Sequence, residues 1–119
     1  MTATSVDVGQ QLASISDAAV GLLREFTGRG ATRARTTLRD DTVVVMMSDT
    51  MTRAERSLVE NGKVDVVLEV RRVFQATIRD DLVAAVESRL YRKVIAFMSA
   101  NHVDPDLAVE IFVLEPQGE

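Results

Sequence analysis

The sequence of 119 residues contains no cysteine, no tryptophan and only one histidine. The lack of cysteine excludes disulfide bonds, thiolate catalysis and cysteine-ligated metal sites. A zinc site is not supported either, because one histidine and scattered carboxylates do not have the spacing of zinc ligands. We therefore expect no metal and no cofactor. Aromatic residues make up only 4% of the chain, so a core has to be built mainly from Val, Leu, Ile, Ala and Met.

Positive charge is also scarce, since 14 Lys and Arg residues stand against 18 Asp and Glu, for a formal net charge of −4. This balance argues against nucleic-acid binding. No apolar run approaches the roughly 20 residues that a membrane span needs. The first eight residues lack the basic-then-apolar order of a secretion signal. We expect one domain over residues 1–119, with an ordered core at about 7–115, in the cytoplasm.

Three segments have the patterns of helices. An apolar seam predicts a first helix from about Asp7 to Thr27, directly before a glycine. Thr52-Arg53-Ala54-Glu55 matches a capping box and predicts a short helix that ends within about two turns. A longer helix is predicted over residues 63–90, where one apolar stripe has helical spacing. Its members are Val66, Val67, Val70, Phe74, Ile78, Leu82 and Val86.

Four further segments have the composition of strands, at residues 32–38, 42–47, 93–101 and 107–114. Turns are predicted at 39–41 and 103–106, and disorder at 1–5 and 116–119. The element order is then αββααββ. This order predicts an α+β fold, a two-layer sandwich in which two long helices and one short helix accompany a four-stranded antiparallel sheet made of two hairpins.

The last two strands are apolar on both faces. In the fourth strand Val109, Ile111 and Val113 point one way, while Phe112 and Leu114 point the other way with Glu110. In the third strand Val94, Ala96 and Met98 oppose Ile95 and Phe97. Strands of this kind are normally buried on both faces, so we predict that a second copy covers the face left open by the helices. The alternative, helices that straddle the sheet of a complete monomer, stays open. The predicted interface residues are Phe97, Val109, Ile111, Phe112 and Val113.

Arginines gather between the first helix and the first hairpin, at positions 24, 29, 33, 35 and 39. Arg29, Arg33 and Arg35, beside two glycines, are the candidate ligands for a phosphate or carboxylate. The alternative is a solvated strand face whose arginines pair with acids such as Asp40 and Asp41.

Two other groups of side chains are candidate sites. His102, with Asp104 or Asp106 as an orienting acid, has the elements of a general base, but an exposed turn histidine is the simpler interpretation. Met46, Met47 and Met51 fit core or interface filling better than an adaptable binding surface. No catalytic residue is predicted.

Several short segments resemble a known family when taken in order: 28–30 (GRG), 43–46 (VVVM), 51–55 (MTRAE), 70–72 (VRR), 93–96 (KVIA) and 109–114 (VEIFVL). Over about residues 10–115 the chain is similar to bacterial proteins labelled Na+-translocating membrane potential-generating system MpsC-like. The resemblance implies a compact α/β domain without an agreed activity, in a context of membrane-potential generation or inorganic-carbon supply.

The chain departs from the family pattern at three positions. Ala31 stands where relatives usually have proline, and Met98 and Ala100 stand where they often have His and Asp. If the His and Asp serve chemistry in relatives, their replacement by Met98 and Ala100 weakens an enzymatic interpretation. We therefore expect a non-catalytic accessory or regulatory protein-interaction domain, a homodimer with a possible protein partner in a membrane system. The alternative is a domain that binds a small anion or other small ligand through the arginine cluster.

Overall fold

A computed structural model describes the backbone of residues 3–118 and the side chains of residues 8–118. In this part of the chain three helices and four strands follow in the predicted order αββααββ, so the predicted α+β fold is confirmed. The elements are α1 (Ala3–Thr27), β1 (Arg33–Arg39), β2 (Thr42–Ser48), α2 (Arg53–Glu60), α3 (Val64–Leu90), β3 (Val94–His102) and β4 (Leu107–Leu114). Helix α1 begins four residues before its predicted start. The predictions for residues 1, 2 and 119 lie outside the described residues.

The four strands form one antiparallel sheet in the order β1-β2-β4-β3. The two hairpins, β1-β2 and β3-β4, are joined by pairing of β2 with β4, in which Met46 lies opposite Val109. The central strands are therefore β2 and β4, and each hairpin contributes one edge strand. This order places the most apolar strands in the middle of the sheet.

Helices α1 and α3 pack together on one face of the sheet, and the core lies between them and the strands. Its buried members are Ile15, Ala19, Leu23, Val43, Val45, Met47, Ile78, Leu82, Val86, Ala108, Phe112 and Leu114. Burial of this apolar surface is the main favourable term in folding. The opposite face, called the outer face below, has no helix over it within residues 3–118, so the helices do not straddle the sheet.

The buried side of α3 differs from the predicted stripe in the first half of the helix. The buried residues follow the line Val67, Arg71, Gln75, Ile78, Leu82 and Val86. Val66 and Val70 are exposed, at 47% and 37%, and Phe74 is half-buried. Val66 and Val70 were included in the predicted stripe because they are apolar. The helix buries Arg71 and Gln75 instead, because α2 and β4 supply their hydrogen-bond partners.

Strand β3 contains an irregularity that changes which side chains face the core. Val94 pairs with Leu114 but Ala96 pairs with Val113, so one residue, Ile95, is inserted between them. Such an extra residue is a β-bulge and interrupts the alternation of faces. Val94 therefore packs on the core with Phe97, and Ile95 is 54% exposed. The prediction that Val94 shares a face with Ala96 and Met98 is wrong for this reason.

Candidate functional site

Two groups of buried polar side chains lie in the core between α2 and β4. In the first group, Arg71 of α3 donates from Nε to Oε2 of Glu55 and from Nη2 to Oε1, both at 3.1 Å. The two residues are 4% and 5% exposed. Glu55 also completes the predicted capping box, since its Oε1 accepts from the Thr52 backbone N–H at 2.8 Å and its own N–H donates to Thr52 Oγ1. One carboxylate thus caps α2 and binds α2 to α3.

The second group is centred on Glu110 of β4, which is 2% exposed. Its Oε2 accepts from Gln75 Nε2 at 3.1 Å and its Oε1 accepts from Ser99 Oγ at 2.6 Å. Gln75 also exchanges hydrogen bonds with the amide of Asn101, at 2.8 and 3.3 Å. Both carboxylate oxygens of Glu110 therefore have a donor. Such satisfaction is what allows a polar group to lie in a core.

The carboxyl group of Glu110 keeps its proton to a higher pH than an ordinary glutamate does. Burial raises the pKa of Glu110 to about 7, against the opposing effects of the hydrogen bonds from Ser99 and Gln75 and of the charge of Arg71. A cavity of about 10 Å³, room for about one water, borders Arg71, Gln75 and Glu110. The arrangement can therefore hold or release a proton near neutral pH inside the core.

Sequence patterns indicated the positions of two of these buried polar residues. Alternation in β4 placed Glu110 on the face of Phe112, which is the core face. The capping box placed Glu55 at the start of α2. The partners Arg71 and Gln75 were missed because an apolar stripe could be drawn through their neighbours on α3.

The predicted anion-binding arginines are divided between two locations. Arg29 is tied to the loop after β2, where its Nη2 lies 2.7 Å from Asp49 Oδ2 and its Nε donates to the Asp49 carbonyl. Burial alone would raise the pKa of Asp49, but the hydrogen bond and charge of Arg29, together with Thr32 and the charge of Arg56, outweigh it and lower this pKa. Arg33 and Arg35 are exposed on the outer face of β1 instead, and neither makes an ion pair within the described residues.

The alternative for the arginines was pairing with acids of the β1-β2 turn. Asp41 pairs with Arg92 instead, with 2.6 Å between Oδ1 and Nη2. No ion pair of Asp40 occurs among the described residues. The arginines of β1 therefore extend along the sheet edge without an acidic neighbour from this turn.

The predicted interface residues are divided between the two faces. Val109, Ile111 and Val113 lie on the outer face and are half-buried in the single chain. Phe112 is fully buried in the core, and Phe97 packs against it with 5.2 Å between ring centroids. Both phenylalanines therefore lie on the core side. Phe112 does so because odd and even positions of β4 point to opposite sides, and Phe97 because it pairs with Phe112 across the β3-β4 register.

Within the described residues, His102 makes no hydrogen bond to either of its candidate acids, Asp104 and Asp106. His102 is exposed at the end of β3, and its Nδ1 lies 2.9 Å from the Pro105 carbonyl oxygen. The Asp106 carboxylate instead accepts from Thr50 Oγ1 and from the Met51 backbone N–H, each at 2.9 Å. Asp106 therefore joins the β3-β4 turn to the segment before α2.

The three methionines considered as a binding surface are separated by the sheet. Met47 and Met51 are 3% and 6% exposed, and Met47 belongs to the core cluster. Met46 is 41% exposed on the outer face. Core filling therefore describes two of the three, and only Met46 is available to a partner.

Fold and site together define a small α+β domain with helices on one face of its sheet and an apolar second face. A family model described as Na+-translocating membrane potential-generating system (MpsC) matches residues 7–116, and the chain belongs to this family. No curated protein and no solved structure shows significant similarity to it. Among the residues that the structure describes, no helix has the length and apolar character to cross a membrane.

Proposed function

We propose that this chain is a non-catalytic accessory or regulatory domain that acts through protein contacts, and that it does so as a homodimer. The family description supplies the context, a system that generates membrane potential. In this proposal the dimer is cytoplasmic and contacts a protein component of that system. The observation that carries the proposal is the uncovered outer face of the sheet.

The outer face has an apolar centre that is accessible in the single chain. Its accessible members include Met46 on β2 and Met98 on β3, at 41% and 50% exposure. Val109, Ile111 and Val113 lie between them on β4. Isolated apolar side chains on a surface are ordinary, but a contiguous patch is typical of an interaction site. A second copy is the commonest partner for such a patch, and symmetric dimers are the commonest assemblies.

The absence of catalysis remains part of the proposal and rests on the geometry around His102. Its only hydrogen-bond partner in the described residues is the Pro105 carbonyl. A general base needs an orienting acid and a reacting group within hydrogen-bond reach. One of the two predicted acids, Asp106, is already held by Thr50 and Met51. This arrangement favours contact over chemistry as the function.

Sedimentation velocity tests the dimer directly, and one pair of variants tests its surface. We expect the wild type to sediment as a dimer at about 50 µM and the Met46→Glu/Met98→Glu variant as a monomer, because burial of two carboxylates in an apolar contact is strongly unfavourable. Val73→Glu is the matched control, since Val73 is 54% exposed on α3, away from the outer face. It should remain dimeric. A wild type that is monomeric at this concentration, or equal loss of the dimer in all variants, would contradict the proposal.

Binding of a small anion at β1 is a second candidate function. The observation that favours it is that Arg33 and Arg35 project side by side and make no ion pair in the described part of the chain. Two guanidinium groups at this spacing can share one phosphate or carboxylate. Millimolar inorganic phosphate or citrate should then raise the melting temperature of the wild type but not of Arg33→Ala/Arg35→Ala. An equal rise in both proteins would exclude this site.

A further inference from the structure

The two edges of the sheet are protected to different degrees. The β1 edge carries three arginines, at positions 33, 35 and 39. Strand β3 has neither a charged residue nor a proline between Val94 and Asn101. Charged side chains and prolines are the usual devices that keep a foreign strand from pairing with a sheet edge. Beyond the bulge at Ile95, the part of β3 from Ala96 to Asn101 has none of these devices and is the edge that is open to another strand.

The backbone of β3 is available for such pairing. Strand β3 pairs with β4 on one side, and it has no strand on its other side within residues 3–118. The outward N–H and C=O groups of an edge strand are a template for an added strand. Several classes of peptide-binding domain use this mode of recognition.

A basic groove runs beside this edge, between α3 and β3, and has a volume of about 370 Å³. Its lining is Arg72, Gln75, Ala76, Arg79, Phe97 and Ser99. The two arginines lie on the same side of α3, seven residues apart. No ion pair of Arg79 occurs among the described residues, and Arg72 contacts only Glu69, one turn away on its own helix. The side chains of that pair are 75% and 60% exposed, and exposed pairs of this kind contribute little, so a carboxylate from a partner can replace Glu69.

We propose that the β3 edge binds an extended segment of a partner protein in which acidic and apolar residues alternate. An added strand directs every second side chain toward the groove, where Arg72 and Arg79 receive the carboxylates. The side chains between them lie on the outer side, next to Met98. The arginine contacts are separate from the proposed dimer surface, because the groove lies on the helix-covered side of the sheet. Only the apolar side chains next to Met98 border that surface.

A synthetic peptide tests this mode of binding. The probe is a nine-residue peptide of alternating Glu and Val, capped at both ends and labelled with fluorescein, and its binding is followed by fluorescence anisotropy. We expect saturable binding that weakens with salt. The same peptide with Lys in place of Glu should bind at least about tenfold more weakly, because it faces two arginines. Amide hydrogen exchange should show protection of β3 on addition of the Glu peptide.

Matched arginine variants test the groove. Arg72→Ala/Arg79→Ala should lower the affinity for the Glu peptide by about tenfold, which corresponds to the loss of two exposed ion pairs of ordinary strength. Arg24→Ala/Arg53→Ala removes the same charge from exposed positions on α1 and α2 and should leave the affinity within about twofold. Unchanged far-UV circular dichroism checks that each variant is folded.

Four outcomes of the peptide experiments would overturn the proposal. Two concern the peptides: no saturable binding at millimolar concentration, or equal affinity for the Glu and Lys peptides. The other two are an equal loss of affinity in both double arginine variants, and protection of β1 instead of β3 from amide hydrogen exchange. Protection of β3 that rises with protein concentration in the absence of peptide would also overturn it, because a second copy would then occupy the edge.

Discussion

Arg71 and Glu55, which are 16 positions apart in the chain, meet in the core through two parallel hydrogen bonds of 3.1 Å each. Both side chains are almost fully buried, at 4% and 7% exposure. A buried pair of this geometry adds little over an apolar pair, but it makes each partner depend on the other. The pair fixes how α2 sits on α3.

Loss of one partner should therefore be costly. We expect Arg71→Met to lower the free energy of unfolding by about 3–5 kcal/mol, because the Glu55 carboxylate is left buried without its counter-charge. Urea denaturation followed by circular dichroism measures this. Arg72→Met is the matched control, since Arg72 is exposed and should change stability by less than about 0.5 kcal/mol. Similar losses in the two variants would contradict a special role for the buried pair.

The raised pKa of Glu110 has a consequence for stability that depends on pH. Below the ordinary pKa of glutamate the folded and unfolded chains both hold the proton, so no penalty exists. As the pH rises toward 7, the unfolded chain releases the proton while the folded chain keeps it, and the folded state loses stability. Above about pH 7 the penalty is complete.

Glu110→Gln removes this effect, since the amide cannot ionise. We expect the difference in unfolding free energy between the wild type and this variant to shift by about 2–3 kcal/mol between pH 5 and pH 8, in favour of the variant at pH 8. Urea titrations at pH 5, 6.5 and 8 measure it, and other titrating groups affect both proteins alike. A difference that is constant with pH would show that Glu110 titrates normally.

Sequence patterns predicted those features of the site that depend on neighbours in the chain. The capping box needs only Thr52 and Glu55, three residues apart, so it could be found before the fold was known. The alternation in β4 likewise placed Glu110 on the same face as Phe112 and Leu114, which the structure identifies as the core face. Burial of Arg71 depends on a partner 16 residues away, and this dependence leaves no local pattern.

The same distinction explains the misplaced side chains of β3. Alternation along the strand is a local property, but the bulge at Ile95 arises from how β3 pairs with β4. Because a single inserted residue exchanges the two faces, Val94 was placed on the wrong side while Phe97 and Met98 were correctly placed on opposite sides. Register is a relationship between strands and cannot be read from one of them.

The end of α3 offers a stabilising substitution. Tyr91 caps this helix in the left-handed conformation, with φ of 56°, and is 85% exposed. Glycine adopts this conformation without steric cost. We expect Tyr91→Gly to raise the free energy of unfolding by about 0.5–1 kcal/mol, measured by thermal and urea denaturation.

Gly62 provides the opposite test of the same principle. It follows α2 with φ of 77° and has open space around it, so an added methyl group meets no neighbour. Gly62→Ala should lower stability by about 1 kcal/mol through backbone strain alone. If both substitutions changed stability in the same direction, the left-handed conformation would not be the cause.

Asp106 and Asp104 share one turn but differ in what their carboxylates do. Asp106 accepts hydrogen bonds from Thr50 and from the Met51 backbone, and Thr50 is 1% exposed. Asp106→Ala leaves this buried hydroxyl and amide without an acceptor, and we expect a loss of about 2–3 kcal/mol. Asp104 is exposed and makes no side-chain hydrogen bond in the described residues, so Asp104→Ala should cost under about 0.5 kcal/mol. Urea denaturation distinguishes the two, and equal effects would mean that Asp106 acts only through the turn itself.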